Sequence, residues 1–294
     1  MHASTGALLA TFFGCSILSA PLLGQSLGLG VGLSDIAVRG GSGDILASIA
    51  SQPAGVYSVR RLKANYAGPA LKLRRTTGGT QDINYLGATG FTGAPLDTAA
   101  ASVFCAATTC FWDTWYDQSG LARHLTQASL VDQPQYIASC INGLPCGRHT
   151  TGYAGGMSFV GVTIAGPWSV SAVGSYNGTG CYVGAVGGNN LLLVNTGVTL
   201  NGAASTTVSG PISPSFIPHT LSGVSNGAAS VLRIDGDEYT GTVTVDTTPG
   251  NVGFIGVPGT TCDESEMIWW NAYALTTNER AAFQVNQKNY FGTP

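Results

Sequence analysis

The stretch that decides the fold runs from Phe104 to Ala128, FCAATTCFWDTWYDQSGLARHLTQA. Cys105 and Cys110 stand five positions apart and lead into a dense aromatic run, Phe111, Trp112, Trp115 and Tyr116. That run breaks into the polar turn Asp117-Gln118-Ser119-Gly120. Aromatic residues favour a pleated, half-buried surface, whereas Asp, Ser and Gly supply turn hydrogen bonds and backbone freedom. The stretch therefore reads as a stapled loop, a buried strand and a tight turn, in that order.

Working outward, the same β signals recur from Pro53 onward. Ala70-Leu71-Lys72-Leu73-Arg74 alternates apolar and basic side chains with period two, as on a half-buried strand. Residues 168–176, 180–186 and 252–257 read the same way. Asp235-Gly236 between residues 230–234 and 238–245 is a hairpin turn signal. One helix is expected, opened by the capping box Thr276-Thr277-Asn278-Glu279 and closed at Gly292. Frequent turn clusters between short strands predict an all-β sandwich or jelly roll.

Composition narrows the class. Charged residues make up 9% of 294 residues, against a usual share of about a quarter. The 42 glycines are about twice the usual share. A chain this long can bury one large core. Few charges with many Gly, Thr, Ser and Val suit an extracellular β protein, and a net charge of −3 offers nucleic acid no basic footprint. Cys105/Cys110 and Cys140/Cys146 form close pairs. Cys181 and Cys262 lie far apart in strand-like segments and are open to pairing, which leaves Cys15 over. No CxxC or HxxxH spacing accompanies them, so disulfides are expected rather than a metal site. No cofactor-binding motif is expected either, because Gly78-Gly79 and Gly187-Gly188 read as turns rather than phosphate loops.

Residues 1–50 differ from the rest. Gly6 to Leu23 is almost continuously apolar, followed by the Gly/Leu alternation of residues 27–33. Two readings stand side by side: a secretory signal in residues 1–20, or a retained arm that packs against another subunit of a homo-oligomer or a larger assembly. The division expected is an arm at 1–50 and a sandwich domain at 51–294.

The motifs also carry a resemblance. Val56-Tyr57-Ser58-Val59-Arg60-Arg61-Leu62, Gln81-Asp82-Ile83, the Cys105–Cys110 segment and Tyr116-Asp117-Gln118-Ser119-Gly120 with His124-Leu125-Thr126-Gln127-Ala128 resemble the catalytic domain of the α-L-arabinofuranosidase B family. The resemblance implies a two-sheet, concanavalin-like jelly-roll sandwich. Glu266 to Leu275 and the capped helix resemble the closing elements of laminin-G-like sandwiches. The same modules are similar to sandwich domains of bacteriophage fibre and head-spike proteins.

Retaining hydrolysis requires two carboxyl groups about 5 Å apart. Where the resemblance places the nucleophilic glutamate, residues 181–190 hold no carboxylate, and the turn expected to carry the acid/base aspartate reads Pro258-Gly259-Thr260-Thr261. No Asp or Glu occurs from Gln133 to Ile234. Asp263 and Glu264 are the remaining catalytic candidates. Trp112, Trp115, Tyr116, Asp117, Trp269 and Trp270 are candidate glycan-binding residues, with one tryptophan of each pair expected in the core and the other free to stack on a sugar. Arg60, Arg61, Lys63, Lys72, Arg74 and Arg75 read as a solvated strand face. The sequence thus points first to a non-catalytic β-sandwich on a virion surface, a fibre, spike or decoration protein that binds host polysaccharide or joins an assembly through residues 1–50. The alternatives are a secreted arabinofuranosidase-like hydrolase and a structural spacer.

Overall fold

A computed structural model describes residues 44–149, 155–177, 180–186, 190–194, 197–202, 206–212, 217–245, 249–256 and 260–294. The apolar segment at 1–43, Cys15 and the turns at 187–188 and 258–259 lie outside the described residues. The folded body reaches back before residue 51: Leu46 and Ile49 are buried, and the Ala50 amide donates to Glu279 at 3.2 Å.

Among the described residues the strands are β1 (Gly55–Ser58), β2 (Leu71–Arg75), β3 (Thr80–Ile83), β4 (Cys110–Trp115), β5 (Leu125–Thr126), β6 (Gln135–Ile141), β7 (Leu144–His149), β8 (Gly155–Thr163) and β9 (Trp168–Asn177). They continue as β10 (Cys181–Val186), β11 (Asn190–Val194), β12 (Gly197–Asn201), β13 (Thr207–Pro211), β14 (His219–Ser225), β15 (Gly227–Ile234), β16 (Asp237–Val243), β17 (Pro249–Gly256) and β18 (Thr261–Trp270). The helices are α1 (Thr98–Phe104) and α2 (Thr277–Phe291). The all-β expectation holds.

Every strand pair is antiparallel, and the network curls on itself. One layer runs β16–β15–β14–β9–β18, with β7 and β1 sharing the far edge of β18. A second runs β8–β17–β10–β11–β12–β13. At its end β13 lies against β15 and β16, where a side chain added at Gly210 would meet Tyr239 and Ile234. The main core, with Trp112, Trp115, Trp168, Phe254 and Trp269, fills the space so enclosed. A smaller core, with Leu46, Val56, Leu62, Ile268, Trp270 and Phe283, lies beneath α2.

Local chemistry explains the joints. Asp235 and Gly236 both take positive φ, 49° and 122°, as the expected hairpin between β15 and β16 requires. Asn142 and Gly143 do the same between β6 and β7, inside the Cys140–Cys146 staple. Both hydrogen bonds of the Thr276–Glu279 capping box form, and Gly292 ends α2 in the left-handed conformation. The buried stripe of α2 mixes Phe283, Tyr290 and Phe291 with Arg280, Gln284 and Gln287. Its seam with the sheet is therefore part oil and part hydrogen bond.

Candidate functional site

β18 is covered on both sides, and its alternation sorts the chemistry. Asp263 and Glu264 are neighbours, so their side chains point to opposite faces. Asp263 lies beside β7, where Arg148 donates to both its oxygens at 2.6 and 2.7 Å. Glu264 points into the main core and is wholly buried. The strands on either side of it present Gly174 and Gly147. The Tyr176 hydroxyl folds over Gly174 and donates to Glu264 Oε2 at 2.9 Å. The Trp112 indole covers Gly147. Glu264 Oε1 has no partner among the described residues.

Burial pushes the Glu264 carboxyl well above the usual range, and the charges of Glu266 and Asp263 reinforce this against the Tyr176 hydrogen bond, so the neutral form is favoured. Burial likewise drives the Tyr176 phenol up, and lowers His149, which sits across from Cys262. The geometry separates the two sequence candidates: one is clamped by a guanidinium on one face, the other is a buried acid on the other. They do not flank a single glycosidic bond.

Three disulfides are present: the expected Cys105–Cys110 and Cys140–Cys146, and the long-range Cys181–Cys262, whose pairing the sequence left open. Sulfurs of Cys140 and Cys146 lie within 4.8 Å of an Asp263 oxygen, but both belong to the disulfide and offer no thiolate to a metal.

The tryptophans depart from expectation. All four of Trp112, Trp115, Trp269 and Trp270 are buried, at 0–2% exposure, and present no ring to a sugar. For the first pair the cause is a bulge. Leu71 pairs with Trp115, Lys72 with Thr114 and Leu73 with Trp112, leaving Asp113 as the extra residue. The two indoles then face the same core, 4.8 Å apart between ring centroids. For the second pair the cause is the double cover of β18: Trp269 enters the main core and Trp270 the smaller one.

Tyr116 is half-buried; its hydroxyl donates to Asp82 at 2.7 Å, and the His124 ring meets it edge-on. Asp117 accepts from the amides of Val56, Ser119 and Arg123 and from the Ser119 hydroxyl. Gln118 accepts from the Leu62 amide and donates to the Arg60 carbonyl and the Tyr85 hydroxyl. The motif is thus a knot that ties β1 and the segment after it to the end of β4. His124 Nδ1 accepts from the Asp117 amide at 3.1 Å, and burial lowers its pKa.

Two of the basic residues read as solvated are not. Arg60 and Arg61 are buried. Arg60 forms two bonds to Glu266 at 2.7 and 2.9 Å, beneath the Tyr290 ring. Ser58 and Gln287 complete the Glu266 shell. Val56, Ser58 and Arg60 lie on the side of the strand that α2 covers, and nothing local in the sequence displays that cover. Phe91, an aromatic ring 72% exposed in the glycine-rich loop between β3 and α1, belongs to none of the motifs picked out in the sequence.

This is an antiparallel β-sandwich with a disulfide-stapled aromatic strand. Residues 43–143 match the family described as "Alpha-L-arabinofuranosidase B, catalytic". A probable alpha-L-arabinofuranosidase B of Aspergillus fumigatus is 43% identical over 72 residues, 24% of this chain and 13% of that protein. Alpha-L-arabinofuranosidase B of Aspergillus oryzae is 37% identical over 105 residues, 35% of this chain and 20% of that protein. The chain thus spans a fifth or less of these curated relatives.

An arabinofuranosidase complexed with arabinofuranosyl-alpha-1,2-xylobiose superposes with a TM-score of 0.64 at 20% identity, covering 85% of this chain and 64% of the other. A GH54 a-l-arabinofuranosidase soaked with cyclic sulfate inhibitor gives 0.62 at 19% identity, covering 84% and 64%. At this identity the likeness is one of fold. These relatives overturn the first expectation, of a non-catalytic phage fibre, spike or decoration protein. The matched relatives are named as arabinofuranosidases, so the reading kept as an alternative fits better.

Proposed function

We propose that the chain is a glycoside hydrolase of the α-L-arabinofuranosidase type, acting outside the cell on arabinofuranosyl-bearing polysaccharide. The observation that carries this reading is the match of residues 43–143 to that catalytic family, at 36–43% identity to individual curated members. The fold likeness to solved arabinofuranosidases extends well past that segment, and the concanavalin-like jelly roll implied by the sequence belongs with the same reading. Three disulfides suit an oxidising compartment.

Asp263 is the carboxyl to test first, because Glu264 has no exposed surface to meet a substrate. Asp263, with its partly exposed Arg148 partner, is the nearer to solvent. The test is 4-nitrophenol release from 4-nitrophenyl α-L-arabinofuranoside by the full chain. Release is expected, with a loss of ~100-fold or more in kcat on Asp263→Asn in protein that keeps its circular dichroism. No release from that furanoside, and no arabinose from arabinoxylan, refutes the reading.

A further inference from the structure

The seam between α2 and the outer face of the sheet holds a small cavity that the hydrolase reading does not use. Thr220 and Ser222 of β14, Arg233 of β15, and Arg280, Gln284 and Gln287 of α2 line it. It leaves about 10 Å³ for the centre of a water-sized particle, which is room for one.

The walls are biased toward negative charge. Arg233 and Arg280 share a single carboxylate, Glu238, at 2.9 and 3.0 Å. Burial works to raise the Glu238 pKa, but the hydrogen bonds from both guanidinium groups outweigh it and hold the group below its ordinary range. Glu238 is therefore ionised. The carboxylates Glu238 and Asp235 stand behind the wall, Asp235 accepting from the Thr220 amide and hydroxyl and meeting His219 Nδ1, while the guanidinium groups of Arg233 and Arg280 line the cavity itself. Arg280 is 5% exposed and Gln284 is 6% exposed, so the guanidinium charge is poorly screened.

The Gln284 amide fixes the polarity of the site. Its oxygen accepts from Arg233 Nε at 2.5 Å, which commits the nitrogen to the other side. That nitrogen is buried and has no partner among the described residues. An unpartnered buried N–H costs about 1–3 kcal/mol, so the seam gains from an acceptor there. The cavity is lined by donors and hydroxyls, without a carboxylate among its lining residues.

We propose that this seam is a binding site for one monatomic anion, of the halide class with chloride as the ready occupant, held by Gln284 Nε2 and the guanidinium groups of Arg233 and Arg280 that line it. A cation would meet two guanidinium groups. Occupancy locks α2 onto β14 and β15, so the anion acts as a stabilising ligand of the sandwich.

Two measurements on the full chain test this. The thermal midpoint in sodium chloride, compared with sodium gluconate at equal ionic strength, is expected to rise by roughly 2–5 °C. Gln284→Glu, which keeps the acceptor for Arg233 but replaces the N–H with a negative oxygen, abolishes that difference. Crystals of the unaltered chain soaked in bromide should show an anomalous peak in the cavity, a readout that stands even if the variant does not fold. Equal midpoints in the two salts, or an ordered water in the cavity with no anomalous signal, overturn the site.

Discussion

Glu264 shows how a single residue takes its character from its neighbours. On a surface strand it would be a charged, unremarkable side chain. Here glycines on both flanking strands open the space, Trp112 and Tyr176 close it, and desolvation decides the protonation state. The consequence for stability has a definite sign. The folded pKa lies above the unfolded value, so above pH 4.5 the unfolded chain releases a proton that the folded chain keeps. Stability contributed by this group is therefore full below the unfolded pKa and is lost as pH rises toward the folded one, by at most about 1.4 kcal/mol per pH unit. Glu264→Gln supplies the same shape without the proton. Urea titrations at pH 5 to 8 should find this variant's stability flatter with pH than that of the parent, and the same slope in both would show that Glu264 is ionised in the fold.

At the scale of elements, β18 organises the molecule. It pairs with β1, β7 and β9, carries Cys262 to the bridge with Cys181 of β10, and runs directly into the capped helix α2. The bridge ties two strands 81 positions apart, and closing a loop of that length limits the unfolded chain strongly. Cys181→Ala with Cys262→Ala is expected to cost about 4 kcal/mol, read as a lower urea midpoint. The short Cys105–Cys110 loop closes only five positions, so the same double change there is expected to cost less. Equal losses at the two bridges would contradict the loop-closure account and shift the weight to packing around each sulfur.

For the whole molecule, the legible part of the fold was its local punctuation. The Asp235-Gly236 hairpin, the Thr276 cap, the Gly292 stop and the two close cysteine pairs all followed from short-range chemistry that a sequence displays, whereas the Cys181–Cys262 pairing was left open. What stayed hidden needed long-range knowledge: the extra residue Asp113 that turns both Trp112 and Trp115 inward, the helix that covers Arg60, and the polar seam beneath that helix. The candidate site was legible as a list of carboxyls, but their opposite facing required the register of β18. The motif around Asp117 shows the same limit, since its hydrogen bonds reach back to β1 from the far end of β4.

That double cover of β18 carries a prediction for the molecule as one body. The main core and the smaller core lie on its two faces, and Trp269 and Trp270, adjacent in the chain, belong one to each. Neither core can lose its wall while the other keeps it, because the wall is the same strand. The cores should therefore melt together rather than α2 and its cluster leaving first. In a urea titration, far-ultraviolet circular dichroism and tryptophan fluorescence are expected to trace one transition with a common midpoint. A Trp270→Phe variant, which leaves Trp112, Trp115, Trp168 and Trp269 to report on the main core alone, should keep those two probes coincident even if its midpoint falls. Separate midpoints in the parent chain, with the helical signal lost at lower urea, would mean that the buried Arg60–Glu266 pair and the seam around it hold α2 less firmly than the sheet holds itself.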